Sequence, residues 1–289
     1  EFRNFYKKKQ FTQPFRKKGV YIIEHMKKSP VMNPHTHYTL ILGAEGELGK
    51  AMAREIARKK CNLVLVSTSP VDLQRFAIGL QLKEDVQVDA VKLDLGKQEK
   101  VQEFIRRIRN KYEIRALINN VSCDWSQAHR RCISELVPDD SETRFRGAAQ
   151  LTMGLVQQMR NHPFAYVQHI IPFPFRKEQF DEEMQLSVSK MYGFAKEMED
   201  ELKDTSVAVS MVHPSPIRHL IPEFEVFDGL SEELNTLTPR LIAIKAVHGM
   251  LRGDRLIIPG FRNKVYYFLN RQTNKLLKAT EESLGSGLQ

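Results

Sequence analysis

From residue 37 onward, short apolar runs alternate with longer amphipathic segments, and that rhythm leaves few architectures open to the chain. Residues 38–42, 62–67 and 86–93 read as strands, as do 114–121, 166–171, 207–212 and 255–259. Between them, 48–59, 71–82, 101–112, 143–161 and 187–202 read as helices. The first helix puts Leu48, Met52 and Ile56 on one face. Strands that are apolar along their whole length must be covered on both sides. The expected fold is therefore α/β, a doubly wound parallel β-sheet with helices on both faces. No repeat or low-complexity linker divides the pattern, and 289 residues suffice for one such domain.

Three segments surround this domain's expected working edge, since open α/β sheets bind ligands outside the carboxyl ends of their strands. After the first strand comes Gly43-Ala44-Glu45-Gly46-Glu47-Leu48-Gly49, with a helix beginning inside it. Glycines at a strand-to-helix turn let the backbone approach a pyrophosphate, and the helix N-terminus supplies amide donors. Glu45 and Glu47 bring opposing charge unless they point outward, and Lys50 offsets them. Pro172-Phe173-Pro174-Phe175 and Pro214-Ser215-Pro216 follow two later strands and stiffen the loops there.

The charge of +9 is unevenly placed. Residues 1–28 hold nine basic residues against Glu1 and Glu24, which leaves +7 on this arm. Phe2, Phe5, Tyr6, Phe11, Phe15 and Tyr21 are interleaved with those charges. Such an arm either folds back on its own domain or a partner, or meets an anionic membrane surface or acidic partner. Nucleic acid ranks last. The expected organisation is a basic-aromatic arm at 1–36, a dinucleotide-binding domain at 37–260 and a C-terminal helix and tail at 261–289. In 264–278, Val265, Phe268, Leu269 and Leu276 alternate with Arg271, Lys275 and Lys278, the pattern of an amphipathic helix. Packing on its own sheet or across a dimer is the preferred reading of that helix.

No apolar run approaches the roughly 20 residues of a membrane-spanning helix, and no secretory h-region is visible. Cys61, Cys123 and Cys132 lack metal-ligand spacing. Reduced thiols, no metal and a cytoplasmic position, with a peripheral membrane site as the alternative, are expected.

Over roughly 37–260 the chain resembles the short-chain dehydrogenase/reductase family, a Rossmann-type fold. Asp94, in Leu93-Asp94-Leu95, matches the acid that this family sets against the adenine amino group. Leu117-Ile118-Asn119-Asn120-Val121-Ser122 resembles its Asn-Asn-Ala-Gly segment, with the valine common in hydroxysteroid and 3-ketoacyl members. Leu251-Arg252-Gly253-Asp254-Arg255-Leu256-Ile257-Ile258-Pro259-Gly260 is similar to the end of bacterial members. The resemblance implies a nicotinamide cofactor held by Gly43, Gly46, Leu48, Gly49, Thr68, Asp94, Leu95, Asn119 and Lys190. At the end of the second strand, Val66-Ser67-Thr68-Ser69 carries neither the acid that selects NAD nor the arginine that selects NADP. NADP is favoured over NAD, and loss of binding stays open. A homodimer or homotetramer is also implied, through the helices carrying the family's Asn and Tyr; Met191, Phe194, Met198 and Leu202 form an apolar stripe that suits either an interface or the core.

The reaction positions depart from the family. Lys190 is retained, but Leu186 stands at the Tyr position, and leucine has no proton to deliver. Arg144 stands at the Asn position, Pro172-Phe173 follows the strand that should end in Ser, Ser215 replaces a glycine, and His219 replaces a threonine. Tyr192 lies roughly 200° round the helix from Lys190, on the far side from the cleft. Ser187 and Ser189 are poor proton donors, while His169, His213 and His219 titrate in a useful range. The leading expectation is a noncatalytic or impaired family member acting in nucleotide sensing or protein interaction. The alternative is an active NAD(P)(H)-dependent oxidoreductase on an apolar carbonyl or activated C=C substrate, with Ile217, Leu220, Ile221, Phe224 and Phe227 near the substrate. A third is a peripheral membrane or complex subunit that uses the basic arm.

Overall fold

The structure, a computed structural model, describes residues 37–67, 71–120, 140–171, 182–214, 237–261, 263–264 and 267–268. Strands and helices alternate as β1 (His37–Leu42), α1 (Glu47–Arg58), β2 (Asn62–Ser67), α2 (Val71–Glu84), β3 (Val88–Lys92), α3 (Gln98–Lys111) and β4 (Glu113–Asn119). They continue as α4 (Asp140–Met159), β5 (Ala165–Ile170), α5 (Glu182–Leu202), β6 (Val207–Val212), α6 (Pro239–Arg252) and β7 (Leu256–Ile257). The seven strands form one sheet in the order β3-β2-β1-β4-β5-β6-β7, and every pairing is parallel. The order reverses between β1 and β4, so the crevice of a doubly wound sheet falls at their carboxyl ends.

Side-chain alternation along the strands builds two cores. Ile41, Leu63, Leu65, Ile118 and Val212 face α1, α2 and α6. Leu40, Leu42, Val64, Val66, Leu117, Val167 and Val209 face α3, α4 and α5. Leu48, Met52 and Ile56 of α1 are buried, joined by Ala51, Ala53 and Ala57, whose small side chains let the helix lie close to the sheet.

Helix α6 has no counterpart among the expected elements, although its ends are well marked. Thr238 Oγ1 accepts from Leu241 N at 3.2 Å, Pro239 opens the first turn, and Gly253 closes the helix at φ 73°. The α5 stripe resolves in favour of the core. Met191, Met198 and Leu202 are buried and Phe194 packs against them, so this stripe offers no face to a second subunit. Among the described residues no helix is long and apolar enough to cross a membrane.

Candidate functional site at the switch point

Residues 43–49 turn sharply between β1 and α1. Gly43 has φ 67°, a left-handed conformation that glycine takes without strain. Ala44 N donates to Val66 O at 3.2 Å, and Asn120 N to Leu42 O at 3.2 Å. Asn120 Nδ2 donates to Gly43 O at 2.9 Å, so the residue after β4 braces the turn after β1. A Cβ on Gly49 would lie 2.4 Å from Gly43 O and 2.8 Å from Ala44 Cα. Only glycine lets α1 start this close to the strand end.

Gly46 is the N-cap of α1, with φ −72° and ψ 164°, and no side chain caps the helix. A Cβ there would meet nothing within 4 Å. Open space thus lies above uncapped first-turn amides, an arrangement that suits an anionic oxygen. Glu45 and Glu47 are exposed and Lys50 is half-buried. Leu48 is buried in the core, so it can meet a ligand here only through its backbone.

The second edge of the crevice follows β3. Leu93 N donates to Ser67 O at 2.9 Å. Asp94 Oδ1 accepts from Gly96 N at 3.0 Å, and Lys97 Nζ lies 3.7 Å from Asp94 Oδ2. The carboxylate is half-exposed, with acceptor capacity left over. Leu95 is buried, and its carbonyl lies so close to α4 that a Cβ on Gly147 would sit 2.0 Å from it. Gly147 was not among the expected site residues; its demand comes from a segment some fifty positions away in sequence. A groove of about 550 Å³ opens beside this turn, lined by Gly96, Lys97, Gln98, Glu99, Lys100, Thr143 and Arg146. Its lining includes Gly96 and Lys97 of this turn, but neither the glycine turn nor Lys190.

Asn119 turns inward. It is 3% exposed, and its Nδ2 donates to Thr152 Oγ1 at 2.9 Å and approaches His169 Nδ1 at 3.2 Å. Thr152 Oγ1 in turn donates to Ala148 O at 2.7 Å. This network makes His169 Nδ1 the acceptor and leaves the ring proton on Nε2. Phe194 packs edge-on against that ring. Burial pushes His169 down to about 4, which keeps the imidazole neutral. Asn119 therefore ties β4 to α4 and β5 within the core, while its neighbour Asn120 reaches the turn.

Lys190 is half-buried on α5 and Arg144 half-buried near the start of α4. Leu186 lies four residues before Lys190 on the same helix. Ser189 is exposed. His213 is buried after β6 and donates from Nδ1 to Ile171 O at 2.8 Å. Burial lowers its pKa, while the bond to the carbonyl opposes that shift. Its ring stacks on Tyr192 at 6.2 Å and meets Tyr267 at 5.7 Å. Tyr192 is exposed on α5, with its ring beside His213 at the carboxyl end of β6; odd-numbered residues of β6 point toward α5, and His213 continues that alternation. Thr68, Pro172, Phe173, Ser215, Ile217, His219, Leu220, Ile221, Phe224 and Phe227, with the side chain of Ser187, lie outside the described residues, as does the arm at 1–36.

A glycine turn and an acid-bearing turn, flanking the switch point of a seven-stranded parallel sheet, define a doubly wound nucleotide-binding type of fold. The family model described as short chain dehydrogenase matches residues 37–221, and the chain belongs to that family. It is 28% identical over 126 residues to a very-long-chain 3-oxoacyl-CoA reductase of Vanderwaltozyma polyspora, covering 43% of this chain and 35% of that protein. To an uncharacterized oxidoreductase of Bacillus subtilis it is 27% identical over 158 residues, covering 54% and 55%. The chain therefore spans only about a third to a half of the length of these relatives. Among solved structures, a bulky-bulky ketone specific alcohol dehydrogenase from Comamonas testosteroni superposes with a TM-score of 0.67 at 21% identity, covering 83% of this chain and 93% of that one. A short-chain dehydrogenase from Sphingobium yanoikuyae in complex with NADPH gives 0.64 at 19% identity, covering 84% and 95%. At such identities these likenesses establish the fold alone.

Proposed function

We propose that the chain binds a nicotinamide dinucleotide across the carboxyl ends of β1 and β4, with its carbonyl-reductase chemistry impaired, and acts in nucleotide sensing or protein interaction. The observation that carries this reading is the contrast between the two halves of the crevice. On one side stands a glycine turn with left-handed Gly43, tightly packed Gly49 and open space above Gly46. On the other, the position four before Lys190 is a leucine.

The residues present fit such a cofactor. First-turn amides of α1 would take the pyrophosphate, Asp94 the adenine amino group, Thr68 the adenosine ribose or its phosphate, and Lys190 the nicotinamide ribose. Gly43 and Gly49 shape the approach, Gly46 leaves it open, Leu48 and Leu95 contribute backbone and packing, and Asn119 braces the strand end. NADP is preferred, because the end of β2 carries hydroxyls and no acid that would repel a 2′-phosphate. Bound there, the cofactor supplies hydride. Proton delivery falls to the protein, and with Leu186 at the Tyr position that step lacks its usual donor. His169 is neutral, buried and engaged with Asn119, which suits it to holding the core together.

The names of the relatives favour a second reading, an active oxidoreductase, for which an apolar carbonyl or activated C=C bond is the proposed substrate. Turnover separates the two. A missing general acid costs about 10²–10⁴-fold, so NADPH oxidation with ketones and enones is expected at or below about 0.1 s⁻¹, against roughly 10 s⁻¹ for an ordinary enzyme. At saturating NADPH that residual rate is expected to survive Lys190→Ala, which removes only a cofactor contact. Faster turnover that disappears in Lys190→Ala would replace the first reading with the second.

A further inference from the structure

We propose that the outward face of the segment after β7 docks on an anionic lipid surface. The segment leaves the sheet through Pro259 and Gly260, the latter at φ 87°, and its described residues Phe261, Asn263, Lys264, Tyr267 and Phe268 are helical. One side is fastened to the domain. Asn263 Nδ2 donates to Pro259 O at 2.7 Å, and the Tyr267 ring packs against buried His213. Asn263 and Tyr267 are four residues apart and share a face. Phe261, Lys264 and Phe268, at spacings of three and four, share the opposite one. Phe261 is 75% and Phe268 56% exposed, and Lys264 is exposed between them. The sequence pattern favoured packing of Phe268 on its own sheet or a partner; within the chain, its ring stands largely in solvent.

Charge selects the occupant. Residues 261–278 contain Arg262, Lys264, Arg271, Lys275 and Lys278 and no acid. Of the net +9, the arm at 1–28 carries +7, and 261–289, with five basic residues against Glu281 and Glu282, carries +3. Subtracting both leaves −1 for residues 29–260. The net positive charge of the chain is thus carried by its two ends, each studded with aromatic residues. Rings enter the boundary between headgroups and acyl chains, and cations pair with anionic headgroups, so this combination fits a lipid surface. Because all strands are parallel and His213 follows β6, the docked face lies on the carboxyl side of the sheet, the side on which the glycine turn opens.

Co-sedimentation of the full chain with phosphatidylcholine vesicles, with and without about 30% phosphatidylserine, tests this. The expected result is salt-sensitive binding to the phosphatidylserine vesicles that falls at least about tenfold in Phe261→Ala/Phe268→Ala. Lys264→Glu, which leaves both rings in place, is expected to weaken binding to the anionic vesicles alone. Both variants should melt within about 2 °C of wild type, because the changed side chains are exposed. Absence of wild-type binding, or equal binding by the double variant, overturns the proposal. So does a loss of self-association by the double variant in light scattering with vesicle binding unchanged, since a second copy would then cover this face.

Discussion

Gly49→Ala is expected to lower stability by about 2–3 kcal/mol, the usual cost of forcing a methyl into a filled site. The atoms it meets are Gly43 O at 2.4 Å and Ala44 Cα at 2.8 Å, both backbone, so no side-chain rotation relieves the clash. Relief requires α1 to back away from β1. That movement loosens Leu48, Met52 and Ile56 in the core and pulls Gly43 against its bond to Asn120. Gly46→Ala is the natural control. Its methyl meets nothing, its φ of −72° suits any residue, and at an N-cap the change should cost less than about 1 kcal/mol. Urea unfolding of the two variants beside wild type distinguishes them. Equal midpoints for Gly49→Ala and wild type would mean that the tight turn does not exist.

A second large effect is expected on acidification, from His169. Its pKa falls to about 4 because desolvation penalises the imidazolium, whereas in the unfolded chain it returns to about 6.5. Above pH 6.5 neither state takes up the proton, and the residue adds no pH dependence. Between 6.5 and 4 the unfolded chain binds a proton that the native state refuses, so stability falls as pH falls; below 4 the loss levels off. At about 1.4 kcal/mol per unit of displacement the full loss is roughly 3 kcal/mol, with about 2 reached by pH 5. His37, His162 and His213 are also shifted down and add in the same direction, so the comparison must be with His169→Asn. Its side-chain oxygen keeps an acceptor near Asn119 and does not titrate. Unfolding free energies from pH 7.5 to 5 should fall about 2 kcal/mol less in the variant than in wild type; parallel slopes would show that His169 is not buried neutral.

The sheet was legible because its strands are apolar on both faces, a property each strand carries in its own few residues. Helix α6 escaped because it lies against both the sheet and α1. Leu241, Ile242, Ala243, Ile244, Ala246 and Val247 give apolar character nearly all round, and no single stripe stands out. Thr238-Pro239 and Gly253 were the signals that could have found it. The glycine turn was legible for the same local reason as the strands, since Gly43 needs a left-handed backbone. Gly147 was not, because what forbids a side chain there is the carbonyl of Leu95 on another element. The inward turn of Asn119 depends on β4 and β5 placing Asn119 beside His169, a pairing that neither strand reveals alone. The α5 stripe shows a further limit: helical periodicity marks a buried face without saying whether the sheet or a second subunit buries it.

Calorimetric titration of the full chain with NAD, NADH, NADP and NADPH tests the central claim most directly. The predicted result is saturable binding of at least one nucleotide, with the phosphorylated pair tighter, weakened at least about tenfold by Gly46→Ala, whose methyl enters the open space above the first turn of α1. No binding of any of the four by folded protein, or binding indifferent to Gly46→Ala, would contradict it.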